Sequence, residues 1–238
     1  SILTEKGIRC SIGHTKATYE EAIEGIKSGF CHSTHLFNAM TGFTHREPGV
    51  VGATFDTDIT TETISDGIHI SYPSLRIAYK QKGTDKTLLV TDAMCACGMP
   101  DGKYALGGQP VIVKNGAARL ENGALAGSVL TLNRAIKNIY ENTDYPLYEI
   151  IKMASYNGAK YCKVDNKKGQ IKENFDADLV VFDENIDINK NYKYITINND
   201  YDKNIFVTNR VEELDKIMEK YVNDNDDDIS DAEIARVM

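Results

Sequence analysis

Gly7-Ile8-Arg9-Cys10-Ser11-Ile12-Gly13-His14 is a short apolar run that closes on a polar residue, and Thr18-Tyr19-Glu20-Glu21-Ala22 follows a few residues later. The first stretch reads as a buried strand. The second has the capping-box pattern, with Thr18 as cap and Glu21 three residues on. Ala22, Ile23, Ile26 and the terminating Gly29 complete a helix. A strand handing over to a helix is the unit of a parallel sheet with helical crossovers.

The same unit recurs downstream. Phe30-Cys31-His32-Ser33 reads as a strand that ends at Thr34-His35, before a longer Gly-containing loop with Pro48. Thr61-Glu62-Thr63-Ile64-Ser65 leads to Asp66-Gly67-Ile68-His69. Pro73 then sits at a first helical turn ahead of Leu75, Ile77 and Ala78. Thr87-Leu88-Leu89-Val90 is the most apolar strand, ended by Thr91-Asp92-Ala93. The fold class is therefore α/β. Each polar residue of interest lies at the C-terminal end of a strand, the face on which (β/α) barrels build active sites. Four strands are too few to close such a barrel.

Beyond Asp92 the chain turns to a small β excursion. Val111-Ile112-Val113-Lys114 and Ala117-Ala118-Arg119-Leu120 flank Asn115-Gly116, a hairpin signal. Helices are expected at about 130–142 and 147–162. Asp178-Leu179-Val180-Val181-Phe182 and Tyr192-Lys193-Tyr194-Ile195-Thr196 read as strands of a separate small sheet. Val211 to Tyr221 reads as helix, an acidic run follows, and Ala232 to Met238 as one more short helix. The expected division is 1–163, 164–200 as a small β segment, and 201–238 as an acidic helical or disordered tail.

The 238 residues are 42% apolar, ordinary for a globular chain. No stretch approaches the roughly 18 apolar residues of a membrane span. A net charge of -8 opposes nucleic acid and anionic membranes. A phosphorylated ligand would need a local cluster of cations and amides. Five scattered cysteines, an odd number, fit reduced thiols and a cytoplasmic location.

Three histidines and a carboxylate stand at successive strand ends: His14, His35, His69 and Asp92. Imidazole binds zinc or iron, and a catalytic site keeps one position open for water. A single such histidine is more often a satisfied core or loop residue; four polar residues on four strand ends read as a set. His32 alternates along its strand and reads as packing. Asp92 could act as general base and then return its proton to a leaving amine, or cap a turn. A carboxylate buried at so apolar a strand end would be costly without partners. Arg46 offers a planar fork suited to phosphate, and Asn38 a donor for phosphate or sugar hydroxyls. Cys95-Ala96-Cys97 lacks a second pair and reads as loop packing. The run Asp224 to Glu233 lacks the central Gly and first ligand of a calcium loop and reads as a solvated tail.

Gly13-His14-Thr15-Lys16-Ala17-Thr18-Tyr19-Glu20-Glu21-Ala22 resembles the GHSxATYxEA stretch of N-acetylglucosamine-6-phosphate deacetylases, members of the amidohydrolase superfamily. Thr34-His35-Leu36-Phe37-Asn38-Ala39-Met40 is similar to their THLYNAM. Arg46-Glu47-Pro48-Gly49, Asp66-Gly67-Ile68-His69 and Val90-Thr91-Asp92-Ala93 match in order. Leu125-Ala126-Gly127-Ser128 resembles their LSGS, with Ala126 for the usual Ser. The resemblance runs from residue 1 to about 185.

That resemblance implies a partial TIM-type (β/α) barrel, the last four strand-helix units, with a remnant of a small β domain. It implies a divalent metal ion, zinc or iron, held by His14 and His35, with Asp92 as acid/base and His69 against the acetyl group. Asn38, Ala39 and Arg46 would hold phosphate and sugar, and Leu125, Ala126 and Gly127 would close over the sugar. The implied reaction hydrolyses the acetamide of N-acetylglucosamine 6-phosphate, an amino sugar phosphate, in a protein that is a homodimer at full length. The family's third metal ligand, a Glu on an earlier strand, lies upstream of anything in this sequence, so a truncated chain is expected. Two alternatives stand: a non-catalytic fragment that binds sugar phosphate, and an amidohydrolase with another N-acyl substrate.

Overall fold

A computed structural model describes residues 2–176, 178, 180 and 182–188. The expected strand at 192–196 and helices at 211–221 and 232–238 lie outside the described residues. The chain divides into two compact units, Ser1–Ala154 and Ser155–Met238.

The first unit opens with α1 (Ile2–Glu5), β1 (Cys10–Ile12), α2 (Tyr19–Lys27), β2 (Phe30–Ser33), α3 (Gly49–Asp56), β3 (Thr60–Ile64), α4 (Tyr72–Lys82) and β4 (Thr87–Val90). The four strands form one parallel sheet in the order β1-β2-β3-β4. The capping box is present: the Glu21 amide donates to Thr18 Oγ1 at 3.3 Å, and the Thr18 amide to Glu21 Oε2 at 2.8 Å. α2 then packs Ala22 with Ile12, Val50 and Ala53, tying β1, α2 and α3 into one core. Leu36, Val51 and Ala78 make a second cluster between the β2–α3 loop, α3 and α4.

α3 falls where the sequence indicates only a Gly- and Pro-containing loop. Its helicity comes from burial: Gly49, Val50, Val51, Gly52, Ala53 and Thr54 are all buried. Tertiary packing outweighs the glycine cost of roughly 1 kcal/mol per residue.

β5 (Gly102–Leu106), β6 (Gln109–Lys114) and β7 (Ala117–Leu120) form an antiparallel sheet. Asn115 and Gly116 both have positive φ, 52° and 77°, as a type I′ hairpin turn requires. Val111 and Val113 alternate inward onto Met94, Ala96, Ala118 and Ala126. α5 (Leu132–Asn142) and α6 (Leu147–Ala154) close the unit, with Asn138 Nδ2 donating to Ser65 O at 2.9 Å. The helix expected over 147–162 is interrupted: α6 ends at Ala154, Ser155 leaves helical backbone (φ −140°, ψ −76°), and α7 (Tyr156–Tyr161) belongs to the second unit.

The second unit is mostly turns after α7. Of the strand expected at 178–182, the described part is one antiparallel bridge, Phe182 to Ile188, around a turn in which Asp183 Oδ1 accepts from the Asn185 and Asp187 amides.

Candidate active site

The ends of the four parallel strands set the site. Ile12 pairs with Ser33, Ser33 with Thr61, and Thr61 with Thr87. His14 and His35 each stand two residues beyond that line, and Asp92 five. Neighbouring strands lie about 4.8 Å apart, so His14 and His35 share one level on adjacent strand ends. Their rings meet edge-to-face with centroids 4.8 Å apart.

Close contact of two loops makes this possible. The Thr34 amide donates to Ile12 O at 2.8 Å, Thr15 N to Ala39 O at 3.0 Å, and the Ser11 and Thr34 hydroxyls are 2.5 Å apart. Gly13 is needed at this approach: a Cβ there would come within 2.9 Å of Thr34 Cβ. His14, His35, Phe37, Ala39 and Asp92 all have positive φ, at 46°, 28°, 74°, 51° and 48°. Non-glycine residues in that region cost about 1–3 kcal/mol each and cluster at functional sites.

His14 is exposed and His35 buried. The Nδ1 of His35 is buried with no hydrogen-bond partner among the described residues. A buried polar atom left so calls for an explanation, and a cation is one partner that fits it. Two imidazoles are suitable nitrogen donors for a divalent metal. Among the described residues no group of three or more His, Cys, Asp or Glu is placed to hold an ion.

Under His35 lies a carboxylate to which the sequence reading gave no role. Glu62 Oε1 accepts the His35 amide at 3.2 Å, and Glu62 Oε2 lies 3.2 Å from His32 Nε2. His32 Nδ1 is 2.7 Å from Thr60 Oγ1. Burial pushes the Glu62 carboxyl up, but the hydrogen bond and charge of His32 and the His35 amide outweigh it and hold it below its ordinary value. His32 is thus packed, as expected, and also pinned to the strand beside it. An acidic residue inside a β-rich run was the available signal for Glu62.

His69 is placed by Asp66. The Asp66 carboxylate accepts the amides of Ile68 at 2.8 Å and His69 at 2.7 Å, and lies 2.6 Å from His69 Nδ1. Burial again raises the acid, and these hydrogen bonds, the His69 side chain first, bring it below its ordinary value. Behind it, the Tyr79 hydroxyl sits 3.0 Å from both Thr63 Oγ1 and Ser65 Oγ; burial pushes its pKa up to about 12.

Asp92 is exposed. The strand stops at Val90 and Asp92 follows it in left-handed backbone, and with the residue exposed the burial cost weighed for it does not arise. Residues 125–128 lie directly against it. The Ser128 amide donates to Asp92 O at 2.8 Å and the Met94 amide to Ser128 O at 2.9 Å, while Ser128 Oγ donates to Thr91 O. A Cβ on Gly127 would be 3.2 Å from Asp92 O. Leu125 bridges to Arg119, and Ala126 N donates to Ala118 O at 3.1 Å, so the segment is held by the antiparallel sheet.

The expected phosphate residues are less drawn together. Asn38 Nδ2 donates to His35 O at 3.3 Å and Leu36 O at 3.1 Å, so its amide shapes the loop. Arg46 is exposed on a turn built by Thr44 and Glu47. At the start of α3 the Val50 amide is taken by Thr41 Oγ1 at 2.8 Å.

A family model described as the Amidohydrolase family matches residues 4–218. The chain is 46% identical over 192 residues to an N-acetylglucosamine-6-phosphate deacetylase of Lysinibacillus sphaericus, covering 80% of this chain and 49% of that protein. The crystal structure of the Pasteurella multocida N-acetylglucosamine-6-phosphate deacetylase is similar over 79% of this chain and 49% of its own, with TM-score 0.76 and 38% identity. A mutant of the Mycobacterium smegmatis N-acetyl-D-glucosamine-6-phosphate deacetylase, solved in complex with N-acetyl-D-glucosamine-6-phosphate, superposes with TM-score 0.74 at 32% identity, covering 78% of this chain and 50% of that one. The chain spans about half the length of the curated relatives it matches. With the family model running through all four parallel strands and on past the described residues, the chain belongs to the amidohydrolase family.

Proposed function

We propose that this chain carries the metal-binding histidines and the acid/base of a hydrolase that removes acetate from N-acetylglucosamine 6-phosphate. The observation that carries the reading is the pairing of His14 and His35 at one level on adjacent parallel strand ends, with a buried His35 nitrogen that has no hydrogen-bond partner among the described residues. We further propose that the parallel sheet is part of a TIM-type (β/α) barrel; the strand order and the superposition on solved deacetylases support this. Five free thiols suit the reducing cytoplasm, where we place the protein.

In this reading His14 and His35 hold a divalent metal, zinc or iron. Such an ion, when bound, supplies Lewis acidity and makes hydroxide available near neutral pH. Asp92 faces the open side of the strand ends and takes the proton of the attacking water. Oxygen bonds to the acetyl carbon, and negative charge gathers on the acetyl oxygen, which His69 meets. Asp92 then returns its proton to the sugar nitrogen as the carbon–nitrogen bond breaks. Arg46 holds the phosphate, the loop of Asn38 and Ala39 lies beside the sugar, and residues 125–127 close over it.

A second reading has a specific observation behind it. That no third ligand joins His14 and His35 among the described residues favours a 238-residue chain that, alone, binds sugar phosphate without turnover. Acetate release separates the readings. Full-length protein should release acetate from N-acetylglucosamine 6-phosphate, lose that activity on chelation, and regain it with zinc or iron. Faster release from an N-acetylated amino acid would give the chemistry to a different substrate class, and metal-independent release would remove His14 and His35 from their role.

A further inference from the structure

Three donors converge on Asp66 where the chain leaves β3. Oδ1 takes the Ile68 and His69 amides, and Oδ2 lies 2.6 Å from His69 Nδ1. The two side chains are 8% and 6% exposed, so this is a buried pair. An ionised carboxylate has no proton to give, so the shared hydrogen belongs to His69 Nδ1. The nitrogen left to meet a ligand is Nε2.

That assignment has a chemical consequence. With Nδ1 protonated, a neutral ring presents a lone pair at Nε2, which repels a carbonyl oxygen. Only the imidazolium presents Nε2–H to an oxygen gaining charge. We propose that Asp66 is a positioning residue of the deacetylation: it fixes His69 Nδ1 as a donor and balances an imidazolium whose Nε2–H meets the acetyl oxygen. This rests on the deacetylase reading of the site.

Among the described residues a titratable side chain packs beside this turn. Tyr72, at the start of α4, packs on Gly67; a Cβ there would lie 2.8 Å from its hydroxyl oxygen. Burial first, then the charges of Asp66 and Glu141, raise that phenol, and Arg134 opposes them. Tyr72 therefore stays neutral beside Asp66.

The same three hydrogen bonds would also serve a merely structural turn, in which the amides matter and the carboxylate charge does not. Asp66→Asn separates the two. Its amide oxygen can still accept both backbone N–H groups. Its NH2 then faces Nδ1, which must become an acceptor, so the ring turns into the neutral Nε2–H form. A histidine-orienting Asp→Asn change can cost about 10⁴ in kcat with the geometry intact. Here Nε2–H survives and only the charge is lost, so a fall of about 10² is expected, with KM within about threefold.

The experiment is ¹⁵N spectroscopy of the imidazoles of full-length protein beside steady-state kinetics across pH. Wild type should show His69 with Nδ1 protonated. Asp66→Asn should show the Nε2–H form and lose about 10² in kcat, while Asp66→Glu restores part of the rate and of the Nδ1–H form. Wild type with an unprotonated Nδ1 overturns the proposal without any variant, as does Asp66→Asn turning over like wild type. Wild type that releases no acetate from the sugar phosphate would instead bring down the deacetylase reading, and this proposal with it.

Discussion

Asp66 and Glu62 are acids that burial raises and hydrogen bonds lower by more, each below its ordinary value, 3.8 and 4.5. Both carboxylates are therefore more acidic folded than unfolded, and the unfolded chain binds more protons as pH falls through those values. Their contribution to stability is full above about pH 5 and is lost as pH drops through the lower folded values. Denaturant titrations between about pH 6 and pH 3 should show wild type converging on Asp66→Asn as acid is added. A gap that stays constant would mean the charge of Asp66 adds nothing to the fold. At this scale the sequence was partly legible. His14, His35 and Asp92 each stand two residues past a strand, as the spacing indicates, whereas His69 lies five residues past β3, on the turn that Asp66 builds. Asp66 was visible only as part of a motif, because a turn can be read from spacing but the side of the turn taken by the His69 ring cannot. The exposure of Asp92 was hidden for a related reason, since an apolar strand says nothing of the left-handed residue that follows it.

α3 shows how an element can be missed and still be well determined. Gly49, Gly52 and Pro48 argue for a loop, and only neighbours far along the chain make it a helix. One of these is Lys82 of α4, 8% exposed, whose Nζ donates to Thr54 O at 2.7 Å and Thr57 O at 2.6 Å at the C-terminal end of α3. Burial pushes its pKa down to about 8. Lys82→Met would leave both carbonyls without that donor and should cost about 1–3 kcal/mol in chemical denaturation. An unchanged midpoint would show that water replaces the ammonium at no loss. Gly52 gives a sharper test. Helix propensity alone favours Ala there by about 1 kcal/mol. The new Cβ, however, would come within 2.3 Å of Pro48 Cβ and 3.1 Å of Phe43 Cδ2. Gly52→Ala should therefore lower the melting temperature; a rise would mean the start of α3 yields easily. By contrast β2, the capped start of α2 and the Asn115-Gly116 hairpin were legible, because each is fixed by residues next to one another.

On the scale of the molecule, the order β1-β2-β3-β4 follows from strand and helix alternating along the chain, and it brings the four strand ends to one side of a single sheet. The antiparallel sheet enters the site indirectly, through residues 125–128 laid against Asp92, a contact between distant segments that no local pattern announces. A chain of net charge -8 does not attract an anion by its overall field, so under the proposed function recognition of a sugar phosphate would fall to Arg46 and the loops around it. All of this turns on whether Asp92 moves the proton at these strand ends. The most direct measurement is kcat for acetate release from N-acetylglucosamine 6-phosphate by full-length protein, wild type against Asp92→Asn. Asp92 is exposed, so the substitution should shift stability by no more than about 0.5 kcal/mol. The account predicts a fall in kcat of at least about 10² with the fold intact; a variant that turns over at the wild-type rate would contradict it.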